Sequence, residues 1–366
     1  MRTSMHHDNL KIISIAWKID HDVVKFGKTH GSISMKAAVL EELHSPVNIH
    51  HRDDLSASRG HAVVALKTAA LNRRDFWITQ GLYPKIKLPV VLGSDGAGVV
   101  LETGDGVNAT WKGKEIILQS GINWGDREEA QAPEFEVLGM PRDGTFATHI
   151  LVPEETLHEK PPHLSWEESA ALPLAGLTAW RSVFTQGGLK KGQTVLITGV
   201  GGGVALAALQ FAVAAGAEVW VTSSSEDKLE RAIQCGAKGG FLYTDENWVS
   251  SMAQKAAAPE LIIDSAGGRT YNGLIDLIKP GGRIVNYGST LGNPQQINMF
   301  KLFWKQIRLQ GSSLGSPADF RDMMSFVQQH QLKPIVDTAY PLEDVNKALE
   351  RMKHSEQFGK IVLHCA

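Results

Sequence analysis

The sequence predicts an α/β protein in two parts: a doubly wound parallel sheet, and a set of short strands closing into a partial barrel or sandwich. Three observations predict it. A glycine-rich string, Gly199-Val200-Gly201-Gly202-Gly203, lies between a continuous apolar run, 194–198, and a helical stretch, 204–215. Strand and helix patterns alternate from about residue 165 onward, as right-handed βαβ crossovers require. Before that, from 35 to about 155, short apolar runs are punctuated by Asp105-Gly106, Asp143-Gly144 and single glycines, the pattern of a small barrel or sandwich.

The elements follow in order. Residues 1–34 carry both charge signs and little periodicity, and read as an extension outside the fold. Their apolar stretch, 12–17, is short and runs into Lys18 and Asp20, unlike a signal peptide; Asp8, Asp20 and Asp22 argue against a mitochondrial presequence. Met35 opens the first strand, 35–40, and strands at 62–67, 98–102, 114–118 and 148–152 follow. The insertion 119–143, with Trp124, is polar and long enough for a lid or an interface arm. In the second half, 194–198 is apolar throughout, as a strand buried on both faces must be. Gly216 sits where a helix C-cap belongs, and 218–222 is the next strand. Ser224 with Asp227 forms a candidate capping box for a helix reaching Cys235 and closed by Gly236. Strands at 261–264 and 283–287, a helix at 320–329 and a last strand at 360–363 complete the pattern.

Composition narrows the function classes. The 366 residues allow two domains. With 37 basic and 39 acidic residues, the net charge of −2 gives no electrostatic case for nucleic-acid binding or a polybasic membrane surface. No apolar run nears the roughly 18 residues of a membrane span. The two cysteines, Cys235 and Cys365, cannot build a disulfide framework or a four-cysteine zinc site; a reducing, cytoplasmic setting is expected. Among the 14 histidines no H-x-x-E-H or H-E-x-x-H spacing occurs, and the pairs His6-His7 and His50-His51 fit a tail and a solvated edge.

Glycine at 199, 201, 202 and 203 allows a sharp turn and close approach of a pyrophosphate, and the helix opening at Val204 presents free N–H groups to it. The strand before and helix after turn a weak motif into a Rossmann fingerprint. An NAD site places Asp or Glu at the end of the second strand, about 20 residues on. Here that strand ends in Thr222-Ser223-Ser224-Ser225, with Lys228 in the next turn. Small hydroxyls at Ser223 and Ser224 and a cation at Lys228 predict NADP(H). The alternative is that Glu226 or Asp227 reaches back to the ribose.

Further segments carry a family resemblance: Asn72-Arg73-Arg74-Asp75, Gly81-Leu82-Tyr83-Pro84, Gly93-Ser94-Asp95-Gly96-Ala97-Gly98, the run from Ala170 to Ala179, Asp264-Ser265-Ala266-Gly267-Gly268, Gly281-Gly282-Arg283 and Gly359-Lys360-Ile361-Val362-Leu363. Over roughly 35–366 the chain resembles the medium-chain dehydrogenases/reductases, and the quinone-oxidoreductase-like branch more than the zinc alcohol dehydrogenases. The resemblance implies a GroES-like β-barrel catalytic domain at 35–164, a Rossmann cofactor domain at 165–313, and a return to the catalytic domain at 314–366. It also implies a site in the cleft between them and a homodimer or homotetramer. In zinc-dependent relatives the metal is held by Cys, His and a second Cys or Asp; the matching positions here are Asn72, Ser94 and Ala175, none of them a good zinc ligand. No metal is therefore expected.

Without a metal to polarise an alcohol, hydride transfer to an electron-poor acceptor remains, because hydrogen bonds can stabilise the charge arriving on oxygen. Quinones and α,β-unsaturated carbonyls qualify. Candidate catalytic residues are Asn72, whose amide should face the cleft and donate to a substrate oxygen; Tyr83, a hydrogen-bond or proton donor or else a packed aromatic; and Arg73. Of Arg73 and Arg74, one is expected to pair with Asp75 and the other to reach substrate or cofactor. Asp95 reads mainly as a structural charge. Thr178, Ser265, Ala266, Tyr287 and Gly288 are expected beside the cofactor, and Tyr243 near its adenine end or in the core. An alcohol dehydrogenase or carbonyl reductase acting on aldehyde or alcohol, and an NADPH-binding sensor or structural protein without turnover, are the competing readings.

Overall fold

The computed structural model describes residues 35–366; expectations for residues 1–34 and for the pair His6-His7 lie outside the described residues. Strand His61–Ala70 is the spine of the first part. It is flanked by Asp95–Thr103 on one side and by Lys360–His364 on the other, both antiparallel. The sheet runs Leu157–Glu159, Glu115–Leu118, Asp95–Thr103, His61–Ala70, Lys360–His364, Val336–Pro341, with His149–Pro153 also paired to the spine. A smaller sheet, Asn48–Arg52, Met35–Leu40 and Val90–Val91, packs across it. Ala37, Leu40, Val64, Leu92 and Phe146 form its interior, with exposures at or near zero. His50 and His51 lie on the edge strand Asn48–Arg52.

The second part is a six-stranded, wholly parallel sheet: Gly239–Leu242, Glu218–Ser223, Thr194–Ile197, Leu261–Asp264, Arg283–Asn286, Arg308–Gly311. Numbered by chain order this is 3-2-1-4-5-6, the Rossmann order. Leu196, Ile197, Ile262, Ile263, Ile284 and Val285 are fully buried, which is why the centres of these strands are continuous apolar runs. Helix Gly203–Ala214 follows the first strand, and Glu226–Gln234 the second.

Two local expectations need correction. The cap of helix Glu226–Gln234 is Ser225, whose hydroxyl accepts from Lys228 N–H; Ser224 is one residue outside it. The helix expected at 320–329 spans Pro317–Gln329, because Ser316 accepts from Asp319 N–H and Asp319 accepts from Ser316 N–H in a full capping box. That helix packs on Pro173–Trp180, and Phe320, Met323 and Val327 join the same core as Val195 and Ile197. The return to the barrel sheet is made by the strands Val336–Pro341 and Lys360–His364. The same core also takes in Ala70, Ala97 and Val362 of the barrel sheet, so one apolar cluster joins the two parts.

Candidate active site and cofactor cradle

Helix Arg73–Thr79 starts directly beyond the spine strand, with Asn72 as its N-cap. Asp75 Oδ2 accepts the Asn72 backbone N–H at 2.7 Å and anchors that first turn. The Asn72 side chain is left for other work. Its Nδ2 donates to Asp95 Oδ2 at 2.9 Å, and its Oδ1 accepts from Lys360 Nζ at 2.6 Å. Lys360 Nζ also reaches Asp95 Oδ2 at 2.9 Å. The other oxygen, Asp95 Oδ1, accepts from Ser120 Oγ at 2.9 Å and from Leu174 N–H at 2.8 Å. Asp95 is fully buried and Lys360 nearly so. Four segments are therefore tied at one carboxylate whose bonds are all made, the condition under which a buried ion pair is tolerated.

This corrects the expectation for Asn72. Its amide does not wait for a substrate; both its polar atoms hold the Asp95–Lys360 pair. Asp95 is the structural charge the sequence suggested, and Lys360 is the residue that sequence reasoning passed over. A single lysine in the apolar run Gly359-Lys360-Ile361-Val362-Leu363 was the available signal.

The two arginines part company, and neither forms an ion pair with Asp75 within 4.0 Å. Arg73 donates to Met352 O and, at 2.9 Å, to Ser355 Oγ. Arg74 turns inward, donating to Ser94 Oγ and, at 2.7 Å, to Leu138 O, with a longer bond to Met140 O. Its guanidinium carbon lies 5.0 Å from the centre of the half-buried Tyr83 ring.

On the sheet side, Gly201 holds φ +130 and would bring a Cβ to 2.9 Å from Lys228 Cδ; a Cβ on Gly203 would meet Lys360 Cδ at 2.6 Å. Both glycines therefore let a lysine stem lie against the loop. Helix Gly203–Ala214 has Gly202 as N-cap and no side-chain cap, so its N-terminal dipole is open to an anion. Lys228 Nζ donates to Ser355 O at 2.6 Å; Ser355 is thus held by Arg73 and Lys228 together. Burial holds Lys228 below the ordinary lysine range, with Arg231, Arg73 and Arg351 adding to the effect and Asp337 opposing it. An uncapped helix start flanked by Lys228, Lys360 and Arg73 fits a dinucleotide diphosphate.

The remaining expected cofactor residues gather at the carboxyl ends of the parallel strands. Ser265 Oγ lies 3.7 Å from the Cβ point of Gly199, and Gly288 approaches Ser265 O. Ala266 follows Ser265, and its carbonyl accepts from Leu291 N–H. Burial pushes the Tyr287 phenol up to about 12. The Thr178 hydroxyl donates to its own helix at Leu174 O, 2.7 Å. Ser223 is buried beneath the loop, Oγ to Val200 O, whereas Ser224 is exposed. Val204 stands in the first helical turn, half-buried. Tyr243 is 39% exposed at the end of the third strand, outside the core. Asp227 leans along its helix toward Arg231, 3.9 Å away, and not back toward the strand end.

A barrel and a parallel dinucleotide sheet joined over a phosphate loop define a nicotinamide-type dehydrogenase or reductase. Comparison with known proteins makes that particular. Residues 58–162 match the alcohol dehydrogenase GroES-like domain family, and residues 203–329 the zinc-binding dehydrogenase family. The chain is 33% identical over 354 residues to a zinc-type alcohol dehydrogenase-like protein of Leptosphaeria maculans, covering 91% of this chain and 98% of that one. A protein of the same description from Schizosaccharomyces pombe is 35% identical over 314 residues, covering 83% and 90%. A solved structure described as an NAD-dependent alcohol dehydrogenase superposes with a TM-score of 0.86 at 33% identity, covering 90% of this chain and all of that one. More distant relatives include an acryloyl-coenzyme A reductase of Metallosphaera sedula, 29% identical over 90% of this chain and 99% of that one, and a mouse quinone oxidoreductase, 27% identical over 91% and 98%. The chain belongs to the medium-chain dehydrogenase/reductase superfamily, among its zinc-type alcohol dehydrogenase-like proteins, a family of NAD(P)-dependent oxidoreductases.

The family names imply zinc, and the residues present do not fit it. Asn72 is bonded through both polar atoms, Ser94 Oγ donates to Leu138 O and accepts from Arg74, and Ala175 has no donor. Among the described residues no three His, Cys, Asp or Glu side chains form a group that could hold a metal ion. No described helix is long and apolar enough to cross a membrane.

Proposed function

We propose that the chain is a zinc-independent, NADPH-dependent reductase that delivers hydride to a quinone or an α,β-unsaturated carbonyl. The observation that carries this reading is the state of the metal seat: an amide locked to a lysine–aspartate pair, a serine bonded to an arginine, and an alanine. The similarity to a quinone oxidoreductase and an acryloyl-coenzyme A reductase supports the acceptor class.

A bound nicotinamide supplies hydride; the chain supplies placement and charge. The open start of helix Gly203–Ala214 with Lys228, Lys360 and Arg73 takes the diphosphate. Asn72 and Asp95 fix Lys360 against the loop and act as positioning residues. The seryl strand end with Lys228 favours a 2′-phosphate, and Asp227 leaves the ribose position free of a carboxylate. The Tyr83 hydroxyl, which has no hydrogen-bond partner among the described residues, is the proton or hydrogen-bond donor to the substrate oxygen. The protein acts in the cytoplasm as a homodimer.

The test is cofactor oxidation with NADPH and NADH over a panel of quinones and enones, alongside metal analysis of the purified protein. NADPH preference, no stoichiometric metal, and loss of rate in Asn72→Ala and Tyr83→Phe are expected. Marked NADH preference overturns the cofactor choice, and one metal per chain overturns the zinc-free reading. Unchanged rates in both variants remove the site. Alcohol dehydrogenase or carbonyl reductase activity is favoured by the similarity to alcohol dehydrogenases and alcohol dehydrogenase-like proteins; alcohol oxidation without turnover of the panel would select it. Tight NADPH binding with no turnover of any substrate would select a sensor.

A further inference from the structure

We propose that Arg74 is the electrophile of this site: its guanidinium, fixed beside the empty-handed metal seat, binds the substrate oxygen on which negative charge develops. The inference deepens the reductase reading and rests on it for the substrate class.

The argument begins with a missing partner. Arg74 is only 7% exposed, yet among the described residues no carboxylate oxygen lies within 4.0 Å of it. Among the described residues the two deeply buried pairs, Arg181–Asp319 and Lys360–Asp95, involve other cations. Burying a charge without a counter-ion is costly, and a guanidinium cannot escape by losing its proton. Neutral oxygens hold Arg74 instead: Ser94 Oγ, Leu138 O and Met140 O. Those three bonds engage three of its five N–H groups. Nε is buried and has no hydrogen-bond partner among the described residues. A fold that aims a permanent cation into its interior, fixes it with neutral acceptors and leaves a donor unused has a hydrogen-bonding capacity that an anion from outside the chain would meet.

The place identifies the anion. Ser94 matches a metal-ligand position, and the next residue, Asp95, holds Asn72 and Lys360, whose stem lies on Gly203 of the phosphate loop. The guanidinium also rests on the Tyr83 ring, a contact that steadies a cation without neutralising it. When an enone accepts hydride at its β-carbon, the C=C electron pair shifts toward the carbonyl and the oxygen becomes an enolate. A proton then adds at the α-carbon, completing a two-electron reduction matched by oxidation of the nicotinamide. Asp75 attracts Arg74 through space without bonding to it; the enolate, or the corresponding quinol oxyanion, is the directly bonded anion that Arg74 lacks. Fixed donors aimed at such an oxygen need no reorganisation as charge appears.

The experiment reads binding and turnover separately. 4-Nitrophenol, offered to the protein without cofactor, reports through its phenolate band whether the site favours an oxyanion. Wild type is expected to bind the phenolate at least tenfold more tightly than the phenol, Arg74→Gln to lose that preference, and Arg74→Lys to retain part of it. In turnover, Arg74→Gln is expected to lose about 100-fold in kcat with KM for NADPH unchanged, and millimolar guanidinium ion to restore part of the rate. Thermal melts check that the variants fold; if Arg74→Gln does not, Arg74→Lys decides by the same two readouts. No phenolate preference in wild type, or a folded variant within threefold of wild type in both readouts, overturns the proposal. Arg74-dependent phenolate binding without reduction of any quinone or enone leaves the oxyanion site standing and removes the reductase reading.

Discussion

Asp75 shows how much one buried carboxyl can shape the site's response to pH. It is fully buried in the first turn of helix Arg73–Thr79, and one of its oxygens, Oδ1, has no partner. Burial pushes its pKa up from 3.8 to about 6, against the pull of Arg74, the Asn72 bond and Lys360. The folded state therefore holds a proton that the unfolded chain releases earlier, so stability falls as pH rises from about 4 to about 6 and is level above that. At about 1.4 kcal/mol per pH unit the full effect is about 3 kcal/mol. Asp75→Asn keeps the Asn72 N–H accepted and removes the titration. The gap in unfolding free energy between variant and wild type should grow in the variant's favour between pH 4 and pH 7; denaturant melts at both pH values measure it, and a constant gap refutes the assignment. At this scale the sequence was only partly legible. Asn72, Arg74 and Asp75 were singled out as residue types, but partners 288 residues apart, such as Asn72 and Lys360, leave no mark in local spacing.

At the scale of elements, the phosphate loop and its flanking strand and helix were legible because a buried parallel strand and a glycine turn are local facts. The helix cap slipped by one residue because three serines in a row offer equal hydroxyls, and only the backbone turn chooses Ser225. Strand Val336–Pro341 was not legible. It is a half-exposed edge strand with Asp337 and Thr338 in it, formed by pairing with Lys360–His364. Helix Val345–Lys353 did carry a signal, Val345, Ala348, Leu349 and Met352 at helical spacing, and was passed over. The insertion 119–143 is docked at its base by Arg181. This buried guanidinium pairs with Asp319 at 2.5 Å, donates to Glu128 O and Glu129 O, and lies 5.0 Å from the Trp124 ring. Arg181→Met would strand Asp319 in the core and release the loop, a loss of about 3–5 kcal/mol. A melting temperature lowered by roughly 4–7 °C and faster tryptic cleavage after Arg127 are expected. A variant as stable and as resistant as wild type would show that the loop is held elsewhere.

At the scale of the whole molecule, the site is made where distant parts of the chain converge. The spine strand and the loop after it are bonded to the final strand, which in turn lies on the phosphate loop, and a shared apolar core fixes barrel against sheet. The opposite edge of the parallel sheet is different. Strand Arg308–Gly311 has a neighbour on one side only, and helix Met299–Trp304 before it buries none of its residues. Phe300 and Phe303 are each 62% exposed and Trp304 72%, with the Phe300 and Trp304 rings stacked 5.9 Å apart. Met299, on the same helix, and Leu309, on the edge strand, are also exposed. Large aromatic side chains grouped on a surface mark an interface, and an open strand edge invites pairing. A second copy of the chain, related by a two-fold axis, satisfies both with one isologous contact. Light scattering after size exclusion should give twice the chain mass for wild type at micromolar concentration. Phe300→Ser combined with Trp304→Ser should shift the protein to the monomer without lowering solubility, since each substitution removes apolar surface that water would otherwise meet. A wild-type monomer at tens of micromolar, or a double variant that stays dimeric, would move the interface to another face of the molecule.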